Sequence, residues 1–107
     1  MTKDDYIVVL ITASSAEEAQ KISQELIARK LAACINSAPV DSVFRWKGKT
    51  ERAEEILLIV KSRMALFEQM ETVVRRNHSY AVPEIIALPI VAGSSDYLKW
   101  IKETTEQ

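Results

Sequence analysis

Two stretches, Tyr6 to Ile11 and Ile56 to Val60, are apolar without alternation. That is the pattern of strands covered on both faces, at the centre of a sheet. Between them, Ala19, Ile22 and Leu26 recur at helical intervals beside charged neighbours. Ser15 and Glu18 stand three apart ahead of that stripe, at capping-box spacing, so a first helix is predicted from there. The chain from Leu31 to Lys49 reads as extended, interrupted near Pro39 and turning at Gly48. A second stripe, Met64, Phe67, Met70 and Val74, predicts a helix capped by Ser62. Arg75 and Arg76 suit its negative end, and Asn77 is its stop. "EIIALPIV" predicts a fourth strand. Gly93 and the serines after it open a last helix, with Asp96 at its start and Tyr97, Leu98, Trp100 and Ile101 as its apolar face.

The order β, α, β, β, α, β and a terminal helix, without linker or repeat, predicts one α+β domain over residues 1–107. Its arrangement is the ferredoxin-like split βαβ. Right-handed crossovers put strands one and three in the centre and two and four at the edges, with both main helices on one face. Pro39 and Pro89 then fall in edge strands, where a missing backbone donor is tolerated. Two helices cover only one face of central strands that are apolar on both. Identical subunits are expected to cover the other, since an apolar patch of several hundred Å² would otherwise stay in water.

Composition narrows the setting. Fourteen basic against fifteen acidic side chains give a formal charge of -1, so no overall field draws nucleic acid or anionic lipid, and neither is an expected partner. The acidic start MTKDDY has no basic leader, no run approaches membrane-spanning length, and the single cysteine, Cys34, forms no intrachain disulfide. A reducing, cytoplasmic setting is expected. No Gly-rich phosphate loop, CxxC, HExxH or nucleophile elbow is present, and a non-enzymatic role is expected.

With the element order in place, the segments ARKLAACIN, WKGK, EILLIVKSR, HSYAVPEIIALPI and YLKWI, in that order, resemble the CutA divalent-cation tolerance family over nearly the whole chain. The resemblance implies a homotrimer of ferredoxin-like subunits with sheets inward and helices outward, related in architecture to PII signalling proteins. It also implies a role in tolerance of divalent metals, copper above all, with no required cofactor and no established reaction. Arg45 precedes Trp46 where many relatives carry two aromatics, which alters packing at the hairpin. His78, Ser79 and Tyr80 stand where many have His-Pro-Tyr, which is expected to loosen the turn.

Cys34 and His78 are the soft ligands copper or zinc favours. One of each is too few for a site in one subunit, since even an open site wants three protein ligands; three copies around a symmetry axis change the count. Each also has a plain structural reading, Cys34 as a small buried residue of an alanine-rich strand and His78 as a positive charge at a helix C-terminus. The resemblance adds the ligand role. Tyr80, Glu84 and Trp46 are the candidates for a cleft between subunits, Glu84 pairing a neighbour's cation or a metal. Trp46 and Trp100 otherwise read as packing anchors. A PII-like signalling or scaffold trimer, taking a small anion or a protein in such clefts, is the alternative reading.

Overall fold

The computed structural model describes Thr2 and residues 5–107. Strand β1 (Tyr6–Ala13) alternates strictly, with Ile7, Val9, Ile11 and Ala13 fully buried. Helix α1 (Ala16–Ala28) starts where the Ser15 hydroxyl accepts the Glu18 amide at 3.1 Å, and it buries Ala19, Ile22 and Leu26. It ends in a Schellman motif: the Leu31 amide donates to Leu26 O at 2.9 Å and the Lys30 amide to Ile27 O at 3.1 Å. Lys30 takes a left-handed φ of 59° to close it, a conformation that costs a residue with a Cβ more than it costs glycine.

Strands β2 (Cys34–Trp46) and β3 (Lys49–Arg63) form a long hairpin. Its two-residue turn, Lys47 and Gly48, has φ of 51° and 79°, the positive pair that a tight turn between right-twisted strands requires. A short 3-10 turn, Met64–Leu66, leads into α2 (Phe67–Asn77), followed by β4 (Ile85–Pro89) and α3 (Ser95–Thr104). The sheet order is β2-β3-β1-β4, antiparallel throughout. Central and edge strands are therefore as the crossover argument placed them, and the fold is ferredoxin-like with an added C-terminal helix.

Three local expectations fail for physical reasons. Ser62 does not cap α2. It lies in β3, fully buried, and donates from Oγ to Leu31 O at 2.6 Å, while α2 has no side-chain cap. Pro39 does not interrupt β2, because it stands opposite Ile56 in an outermost strand of this chain's sheet, where its missing N–H breaks no ladder on the open side. On α3 only Ile101 is buried, with Tyr97 and Trp100 41% and 42% exposed.

The core sits between the sheet and helices α1 and α2. Ile7, Val9 and Ile11 meet Leu58 and Val60 of β3, Ile22 and Leu26 of α1, and Met70 and Val74 of α2. The other face carries Leu10 beside both Ile59 and Ile86, Val8 beside Leu88, and Leu57 beside Thr12. Ile86 and Leu88 are 49% and 46% exposed. Beyond the Ala13–Ile56 pair, β2 and β3 pair only with each other. That two-stranded arm stretches the molecule to 44 Å along one axis against 26 and 22 Å along the others.

Candidate functional site

The turn after α2 is organised by one carboxylate. Glu18, one turn into α1, accepts the Ser14 amide on Oε2 and the Ser79 amide on Oε1, both at 2.8 Å. Burial pushes its pKa up, but the Ser14 amide and Ser79's hydroxyl and amide outweigh that and hold it below its usual value. The Ser79 hydroxyl also reaches the Ser14 hydroxyl at 3.0 Å. Ser79 therefore pins the turn to α1. A proline there would have no amide to offer Glu18.

His78 closes the same network. Its side chain is fully buried. Nε2 lies 2.7 Å from Thr12 O and Nδ1 lies 3.1 Å from the Tyr80 amide. A carbonyl can only accept and an amide can only donate, so the ring is held with its proton on Nε2 and its lone pair on Nδ1. Both nitrogens are engaged within the chain. Binding a metal through His78 requires release of one of these bonds.

The Tyr80 ring lies 5.0 Å from the His78 ring at 48°. Burial first, then a hydrogen bond to Glu55 and the charge of Glu55 and Glu18, push its hydroxyl pKa up. Glu55, only 7% exposed, is the residue here that the sequence pattern did not point to. It also lines a cleft of about 590 Å³ with Ser14, Ser15, Val40, Asp41 and Glu54. Asp41 and Glu54 are direct cross-strand partners, a like-charge pair that is unfavourable unless a cation stands near. Glu84 is exposed just before β4. Trp46, 47% exposed, lies at the hairpin tip with the Lys47 ammonium 6.0 Å from its ring centre. Six residues of strand, about 20 Å, separate Trp46 from Val40, which faces Glu55. Within one chain, Tyr80 and Trp46 do not share a cleft.

Cys34 lies elsewhere. It opens β2 opposite Lys61, half-buried, with its sulfur 3.9 Å from Asn36 Oδ1. The Lys61 ammonium donates to that same Asn36 oxygen and to Ile59 O at 3.3 Å. Tyr97 of α3 meets the thiol. Burial and then the charge of and hydrogen bond to Cys34 raise the Tyr97 pKa. Lys61 pairs with Val8, four residues or about 13 Å along β1 from the Thr12 carbonyl that holds His78. The two soft ligands are therefore not brought together in one chain. Among the described residues no three His, Cys, Asp or Glu side chains are grouped to hold an ion, and no helix is long and apolar enough to cross a membrane.

The model of a family described as CutA1 divalent ion tolerance protein matches residues 7–104. The divalent-cation tolerance protein CutA of Archaeoglobus fulgidus is 46% identical over 98 residues, 92% of this chain and 96% of that protein. A chloroplastic protein CutA of Arabidopsis thaliana is 45% identical over 100 residues; the chain spans only 55% of that protein's length. A solved structure of a periplasmic CutA from Archaeoglobus fulgidus superposes with a TM-score of 0.93 at 44% identity, covering 94% of this chain and 99% of that one.

Proposed function

Because the chain belongs to the CutA1 divalent ion tolerance family, we propose that it serves divalent-cation tolerance as a non-enzymatic PII-like homotrimer, binding copper or a similar ion weakly at sites shared between subunits. The observation that carries the sharing is the separation of Cys34 from His78, together with the lack of any three-ligand group among the described residues. A soft cation then needs copies of Cys34 from more than one subunit, or His78 freed from its turn. The trimer reading is supported by the apolar second face of the sheet and by the two-stranded arm, since a lone hairpin is marginal in water. The free thiol favours a reducing compartment, and the relatives' names, chloroplastic and periplasmic, belong to those proteins.

The alternative of a small anion in the cleft near Tyr80 is disfavoured by its lining, because Asp41, Glu54 and Glu55 give it negative charge. Native mass spectrometry of the reduced protein, with and without copper, tests the main reading. A trimer with an integral complement of copper is expected, and uptake falls when Cys34 is changed to serine. Unchanged uptake in the Cys34→Ser, His78→Ala trimer refutes the ligand assignment, and a stable monomer refutes the assembly.

A further inference from the structure

On the helical side, away from the open face of the sheet, α1 and α2 run antiparallel, and the C-terminal end of α1 meets the Gln69–Arg76 stretch of α2 around a cleft of about 470 Å³ that Gln107 also lines. Leu31 and Val73 form its floor, and Arg29, Arg76, Gln69 and Thr72 its rim. Gln69, Thr72 and Arg76 recur at i, i+3 and i+7, one face of α2. Glu25 binds both guanidiniums. Arg29 donates to it from Nε at 2.7 Å and Arg76 from Nη2. Asn77 adds Nδ2 at 2.8 Å. One carboxylate thus fixes two cations and neutralises only one of them. Each guanidinium has five N–H donors, and most remain uncommitted to Glu25.

The C-terminus of α1 would ordinarily repel an anion, but five carbonyls around the cleft are already engaged. Leu26 O, Ile27 O and Glu25 O accept the amides of Leu31, Lys30 and Arg29. Lys30 O accepts the Gln107 carboxamide and Val73 O the Asn77 carboxamide. These five acceptors are engaged, while most of the guanidinium donors are not committed to Glu25.

We propose that this cleft binds a small organic oxyanion, a phosphate ester or carboxylate, its charged head gripped by Arg29 and Arg76 and its body lying along the Gln69–Thr72 face of α2. Fixing both guanidiniums on Glu25 pre-organises the two forks, so little freedom is lost on binding. The site lies within one subunit and does not depend on the metal reading.

Phenyl phosphate is the probe, titrated into the full chain and followed by backbone amide NMR, with phenol and with sodium chloride at matched ionic strength as references. Saturable shifts centred on Arg29, Leu31, Val73 and Arg76 are expected, with half-saturation on the order of 1 mM or below. Affinity should fall about tenfold or more in Arg29→Gln and in Arg76→Gln, as loss of a charge-assisted bond implies, and stay unchanged in Lys99→Gln on α3. The reading is overturned by an absence of saturation, by equal shifts with chloride or phenol, or by arginine variants that bind like the parent. Copper uptake, measured on the same variants, should not change; a loss there would mean damage to the assembly, and the oxyanion reading would then stand or fall on Arg29→Lys, which keeps the charge but loses the fork.

Discussion

Glu18 is the residue on which the turn after α2 depends. It accepts amides from both sides of the junction between β1, α1 and the 78–80 turn, and its folded pKa lies below the ordinary 4.5. A carboxyl whose pKa is depressed on folding stabilises the native state above its unfolded pKa. That contribution is lost as pH falls through the folded value. Glu18→Gln keeps one acceptor oxygen and loses the charge, so it should cost about 1–3 kcal/mol near pH 7. Urea denaturation of parent and variant at equal protein concentration, repeated from pH 7 down to pH 3, should show the gap closing below about pH 4.5. A gap that stays constant with pH would mean that the charge of Glu18 contributes nothing. The sequence made Glu18 visible only as a capping-box residue, because the Ser15–Glu18 spacing is local. Its bonds to Ser79 and its approach to His78 span some sixty positions, and no periodicity reports them. For the same reason His78 was legible as a helix-end residue while Thr12 O, which fixes its tautomer, was not.

At the scale of elements, the periodic signals held where burial decides. The stripe Ala19, Ile22, Leu26 and the stripe Met64, Phe67, Met70, Val74 both pack on the core. Boundaries failed where a polar side chain had two uses. Ser62 looked like a cap, but its hydroxyl satisfies a carbonyl inside the fold, so the strand continues and α2 starts uncapped. The C-terminus of α1 offers a cleaner test. Its Schellman closure places Lys30 at φ 59°, and no glycine in the sequence announced it. Lys30→Gly relieves the left-handed strain at some cost in unfolded-state entropy. The expected net is a gain of about 0.5–1 kcal/mol in a chemical denaturation curve. Destabilisation would mean that the lysine side chain, not the backbone, is what this position needs.

The whole molecule is left with a sheet face that its own chain covers only where α3 meets Cys34 and Arg63. Continuous apolarity in Tyr6–Ile11 and Ile56–Val60 predicted cover on both sides, yet within one subunit these strands alternate between buried and half-buried positions. The apolar pattern therefore asks for cover that the half-buried positions of a single chain do not receive. Ile86 and Leu88 are the places to probe that, being the most exposed apolar side chains among the open-face residues named above and lying on the strand that edges β1. Lysine at both positions removes nothing from the helix-side core, so the subunit should still fold. In a trimer the added ammonium groups of every subunit would have to be desolvated at the contacts, a cost of several kcal/mol per buried ion that apolar contact there cannot recover. Light scattering coupled to size exclusion should therefore read a monomer for Ile86→Lys, Leu88→Lys and a trimer for the parent, with far-ultraviolet circular dichroism unchanged. Lys99→Gln, at an exposed position of α3, changes charge away from the sheet and should stay trimeric. If the double variant also remains trimeric, the open face is not the contact between subunits, and the projecting hairpin arm becomes the surface that must carry assembly.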